Sequence, residues 1–189
     1  MTNAHSPEDW ATYQRLEEGV RAYIRDADVA IESLAGVIDL GQVQAFTLER
    51  VASPQPWGES LWQEVAVTDG RRLILWHGDD EVEEDRPDQL MFSSSVRTIP
   101  LPAIVDQGLR TRFLTEQNGN RSLNAVMLYL STQTPERSMT ELSDPNETRT
   151  TQFVETYRFS KSVADGGRGQ MQRLLQFGRA LSHFSAVLR

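Results

Sequence analysis

The sequence predicts an α+β fold, mainly β: a seven-stranded antiparallel barrel or strongly bent sheet, with a long N-terminal helix and a C-terminal helix. Three observations predict it. Apolar residues recur at helical spacing before residue 40 and again after residue 170. Between those regions, short stretches alternate polar and apolar residues or run apolar at strand length. Asp-Gly, Asn-Gly and proline-bearing turns punctuate these stretches. At 189 residues, 39% of them hydrophobic, the chain is long enough for one domain with a substantial core. Residues 1–41 read as a helical segment and residues 42–189 as the barrel-like domain.

The first helix is expected to start at Ser6-Pro7-Glu8-Asp9, where serine caps, proline suits the first turn and the acids favour the positive end of the helix dipole. Val20, Ile24, Ala27, Ile31, Leu34 and Ile38 then recur at spacings of four and three, a heptad stripe. Gly36 and Gly41 offer stops, and the helix would exceed roughly 40 Å at about 1.5 Å per residue. Its stripe is expected to pack on the β-domain or to find a second copy. Strands are predicted near 43–52, 60–69, 71–78, 90–100, 108–116, 122–132 and 149–160. Residues 53–58, 79–88 and 133–148 read as loops. Asp69-Gly70 is a two-residue hairpin turn, which places Thr68 opposite Arg71, Glu64 opposite Leu75 and Trp62 opposite His77. After a linker at Asp165-Gly166-Gly167, Met171, Leu174, Leu175, Gly178, Leu181, Phe184 and Leu188 form one apolar helix face. Gly178 leaves a notch there that a strand or helix can approach.

Charge and composition exclude several functions. The net charge is -8, yet residues 149–189 carry seven basic and two acidic residues, leaving the remainder at -13. Such a body discourages phosphate backbones and anionic lipid, so no nucleic-acid partner is expected. No window approaches the roughly 18 apolar residues of a membrane-spanning helix. The start of the chain lacks a secretory pattern, and a cytoplasmic location is expected. Without cysteine there is neither disulfide nor thiolate chemistry. Eighteen of the 19 basic residues are arginine; Lys161 is the one lysine.

His77-Gly78-Asp79-Asp80 is the densest cluster of chemistry-bearing residues. Zinc needs more His or Cys at ligand spacing, and the acidic run after His77 lacks the glycine of a calcium loop. It reads as a hairpin end followed by a solvated acidic loop, with no metal or cofactor. A Gly-x-Ser-x-Gly elbow is absent and no histidine has an evident nucleophile partner, so no catalytic residue is assigned. Glu155, in TQFVETYRF, shares a strand face with Phe153, Tyr157 and Phe159 and is expected to point inward. There its charge is disfavoured unless paired, by Arg112 or Arg158. A structural ion pair, a strand end, a bulge and a ligand-binding or catalytic carboxylate all fit. Glu155, Tyr157 and Arg112 are therefore the candidate ligand-binding residues. On the sixth strand, Leu123, Ala125, Met127 and Tyr129 oppose Val126, Leu128 and Leu130. One set must face a helix, a second subunit or a partner.

Two segments, VTDGRRLILW and VRTIPLPAIVDQGL, resemble the second hairpin and the following strand and bend of bacterial pleckstrin-homology-like (PH-like) domains. The order of seven strands and a C-terminal helix is similar too, over about residues 43–188. The resemblance implies a binding or scaffolding module rather than an enzyme. It implies no lipid site here, because Arg71 and Arg72 lie beside an acidic loop where lipid-binding members carry a basic cluster. A lipocalin-like barrel carrying a small hydrophobic ligand is the alternative.

Overall fold

Seven strands follow the N-terminal helices, but they form two sheets rather than a closed barrel or one bent sheet. In the computed structural model the backbone is described at residues 8–83, 86–144 and 147–187, and the side chains at 8–82, 89–133 and 155–186. Strands β1 (Ala45–Gln55), β2 (Gly58–Thr68), β3 (Arg72–Glu83) and β4 (Arg86–Pro100) form an antiparallel sheet in that order. Strands β5 (Ile104–Thr115), β6 (Arg121–Asp144) and β7 (Glu147–Ser162) form a second. Closure fails at both seams. Between β4 and β5 the chain turns through a 3-10 corner, Leu101–Ala103, where Pro100 and Pro102 offer no N–H donor. At the other seam β1 and β7 share no ladder; the Glu49 carboxylate takes the Ser160 backbone N–H instead.

The expected loops at 53–58, 79–88 and 133–148 are mostly strand. Pro54 pairs opposite Glu59 because β1 is an edge strand, where proline is tolerated. The β6–β7 register shifts between Gln133 and Ser138, around Pro135, and the ladder then resumes at Ser138 and Gln152. At the β2–β3 turn the expected register is displaced by two residues: Thr68 faces Leu73, Glu64 faces His77 and Trp62 faces Asp79. Asp69 causes this. Its carboxylate accepts the Arg71 and Arg72 backbone N–H groups at 2.9 and 2.8 Å, which widens the turn to four residues. The expected ring contact survives diagonally, with Trp62 and His77 centroids 5.3 Å apart.

The long N-terminal helix is not continuous. A 3-10 turn at Trp10–Thr12, capped by Asp9, precedes α1 (Leu16–Tyr23) and α2 (Ala27–Ala35). The expected Ser6-Pro7 start lies outside the described residues. Ile24 is extended between the helices, and Arg25 there reaches the sheet. Its guanidinium donates twice to Asp80, at 2.8 and 2.6 Å, and its backbone N–H donates to Gln63 Oε1 at 2.7 Å. Much of the predicted stripe is nevertheless buried: Val20, Ile24, Leu34 and Ile38 pack on Phe46, Leu48, Val65, Val67, Ile74 and Trp76 of the first sheet. That contact occupies the face that would otherwise pair with a second copy.

Behind the first sheet, Ala66, Leu73, Leu75 and Ile99 meet Val126, Leu128, Leu130 and Phe159 of the second. Helix α3 (Gly167–Val187) inserts Met171, Leu174, Phe177 and Leu181 into the same core. The notch at Gly178 is filled by Leu128 and Leu109 of the chain's own sheet. No helix among the described residues is long and apolar enough to cross a membrane.

Gly78 gives a direct test of packing beneath the N-terminal helices. A Cβ there would lie 2.6 Å from the Trp76 ring and 2.7 Å from Phe92. Gly78→Ala is expected to lower stability by roughly 2 kcal/mol through overpacking, read as a lower urea midpoint at unchanged m-value.

Candidate functional site

The alternation of β5–β7 separates two faces, and each holds part of the chemistry. On the inner face Val126, Leu128, Leu130 and Phe159 enter the core. The outer face is a grid set by register. Gly108, Tyr129 and Arg158 form one row; Arg110, Met127 and Ser160 the next; Arg112, Ala125 and Ser162 the third. Gly108 permits a close approach, since a Cβ would fall 1.8 Å from the Tyr129 ring, so the tyrosine folds over the β5 backbone. Met127 and Ala125 floor the remaining trough. A cavity of about 200 Å³ is lined by Arg110, Arg112, Ser160, Ser162 and, at one end, Asp165. A shallower depression of about 410 Å³ adjoins it through Arg110 and Met127 and extends to Arg158 and Thr156. Arg110, Arg112 and Arg158 are exposed and make no ion pair among the described residues.

The inner face carries an ionic layer beside the β1–β7 seam. Glu49, Glu64 and His77 are cross-strand neighbours on β1, β2 and β3. They share the inward side of the first sheet with Ala66, Leu75 and Arg97. Lys161 enters from β7. Its side chain is buried, its Nζ has no hydrogen-bond partner among the described residues, and it lies 5.9 Å from the Tyr23 ring centre. Burial pushes the lysine down from its ordinary range, opposed by the Glu49, Asp165 and Glu64 carboxylates. Burial pushes Glu64 up to about 8, reinforced by the Glu49 charge and opposed by Lys161. Glu49 is raised for the same principal reason, and burial takes the Tyr23 phenol up to about 12.

Of the candidate ligand-binding residues, Glu155 and Tyr157 come together and Arg112 does not join them. The Tyr157 hydroxyl donates to Glu155 Oε2 at 2.8 Å. Arg97 of β4 pairs with the same carboxylate and lies over the Tyr157 ring, 5.5 Å from its centre. Arg112 pairs with Ala125 on β6 and Glu155 with Thr132, which are about 23 Å apart at roughly 3.3 Å per residue. Arg112 also faces outward while Glu155 faces inward. The expected carboxylate partners, Arg112 and Arg158, are thus replaced by an arginine of the other sheet. His77 Nε2 lies 3.2 Å from Asp79 Oδ1, and no group of three or more His, Cys, Asp or Glu among the described residues is placed to hold a metal. Asp80, expected in a solvated loop, is buried against Arg25.

Residues the sequence reading did not single out are Glu49, Glu64, Lys161 and Arg97. One signal was available for the lysine: it is the sole lysine among 19 basic residues. Unlike arginine, it can sit buried and lose charge.

Models of protein families, curated proteins and solved structures give no significant match to this chain.

Proposed function

We propose that the protein is a non-enzymatic interaction module of the PH-like kind, working in the cytoplasm and docking a protein on the outer face of β5–β7. One observation carries this reading. A sheet face with three arginines outside any described ion pair and a Met127–Tyr129 floor is covered by no described element of the chain. Exposed aromatic, methionine and arginine side chains are the residue types enriched at protein interfaces.

The PH-like reading draws support from the four-plus-three strand order and from how the sheets cross. Between Ser160, bonded to Glu49 on β1, and Glu155, paired with Arg97 on β4, β7 advances about 17 Å. Traversing β1 to β4 covers three strand spacings, about 14 Å, so β7 runs across the first sheet rather than along it. The core between the sheets is occupied by Leu128, Leu130, Phe159 and Phe177, which favours a module over a carrier of hydrophobic ligand.

A photo-cross-linking amino acid in place of Met127 tests the docking. Covalent capture of a protein in cells is expected, lost on Arg110→Glu with Arg112→Glu. The same probe in place of Glu59, at the β1–β2 turn, should capture nothing. Equal capture at both positions, or none at 127, overturns the reading.

A further inference from the structure

We infer that the occupant of the arginine face is a second copy of this chain, seated through the outer surface of its α2. This rests on β5–β7 being a docking face and names its partner. Two surfaces on opposite sides of the molecule are complementary. Helix α2 presents Asp28, Val29 and Glu32 outward, with Val37 and Asp39 beyond its end. Val29 and Val37 are 42% and 38% exposed, and Glu32 makes no ion pair among the described residues. Asp28 is held by Arg21 at 2.6 Å, which keeps that carboxylate on the surface. Two valines with Glu32, beside the Arg21–Asp28 pair and with Arg72 at the Val37 carbonyl, thus match Met127 and Tyr129 among three guanidinium groups and Asp165.

The dimensions agree. Nine residues of α2 span about 13.5 Å, and the rows from Gly108 to Arg112 run about 13 Å along β5. The contact cannot form within one molecule, because α1 and α2 cover the first sheet and the trough lies on the far side of the second. A copy placed there supplies the second sheet with the helical cover that the first already has. The two patches differ, so the contact is head-to-tail and leaves one free patch at each end, building a chain or a ring. Its charge pairs are exposed, so it weakens as salt rises.

Sedimentation velocity on the full chain tests this with two blocked variants. Arg110→Ser/Arg112→Ser disables the trough and keeps the helix; Val29→Ser/Glu32→Ser does the reverse. Wild type is expected to grow beyond a dimer as concentration rises at low salt, and each variant to remain monomeric with an unchanged circular dichroism spectrum. An equimolar mixture of the variants should form a dimer and stop there. If either variant misfolds, Arg158→Ser and Glu32→Ser provide a milder pair with the same expected pattern. A monomeric wild type, an assembly that stops at a symmetric dimer, or a mixture that stays monomeric overturns the inference. A monomeric wild type whose Met127 probe captures a different protein overturns only the identity of the partner. If that probe captures nothing, the docking reading falls too.

Discussion

Arg25→Ala is expected to lower stability by about 3 kcal/mol, and Asp80→Ala by about 2 kcal/mol, with the double variant losing clearly less than their sum. The asymmetry follows from exposure. The Asp80 side chain is 2% exposed and that of Arg25 is 40% exposed. The carboxylate takes two guanidinium N–H donors and the Leu61 backbone N–H at 3.0 Å. Without Arg25 it stays buried with one donor, and the guanidinium that holds it below the usual carboxylate range is gone. Without Asp80, Arg25 keeps Asp26 at 2.7 Å, the Phe92 face and access to water. A urea double-mutant cycle measures the coupling, expected to exceed about 1 kcal/mol. Equal, small losses in both single variants would mean that apolar packing alone fixes the break between α1 and α2.

That break also shows where the sequence stops being legible. The Val20–Ile38 stripe was readable because periodic apolar residues register a buried face wherever that face packs. The interruption at Ile24–Asp26 depends on Asp80, 55 residues further on, and no local propensity reports such a partner. The strands were readable for the same reason as the stripe, and Asp69-Gly70 marked its turn. Register was less secure: an aspartate that accepts two backbone N–H groups lengthens the turn by two residues without altering which face each side chain takes. Whether seven strands close into a barrel depends on two seams, and the sequence carries no periodic signal for a seam. The prolines at 100 and 102 were visible at one of them; the Glu49–Ser160 contact at the other is non-local.

At the site, inward orientation of Glu155 beside Tyr157 was legible from period-2 alternation. Its partner was not, because Arg97 lies on the other sheet and only the crossing of β7 over β4 brings the two together. Ala125, Met127 and Tyr129 were recognisable as a surplus apolar face. That Arg110, Arg112 and Arg158 flank it required the pairing register of three strands. Nothing in the local pattern marks Glu49 and Glu64 as inward-facing, since alternation cannot distinguish a second sheet from water.

The ionic layer that those glutamates form makes the final prediction a pH experiment. Glu64→Gln is expected to raise stability by about 3 kcal/mol at pH 8 and to change it little at pH 5. In the folded chain burial holds the Glu64 carboxyl at about 8, against 4.5 for the unconstrained group. Below that lower value both states are protonated and burial exacts no ionisation penalty. Between about 4.5 and about 8 the unfolded chain has released a proton that the folded chain keeps, so stability falls as pH rises through this window. Each unit of separation is worth about 1.4 kcal/mol, reduced here because water reaches part of the side chain. Glutamine has no proton to lose and removes the decline. Lys161→Met should steepen the decline instead, since Lys161 opposes the upward shift of both Glu49 and Glu64. Urea midpoints at pH 5, 6.5 and 8 for the three proteins decide the matter. Parallel pH profiles for wild type and Glu64→Gln would place the Glu64 carboxylate in water and remove it from the layer, leaving Lys161 with Glu49 and Asp165 as its remaining counter-charges.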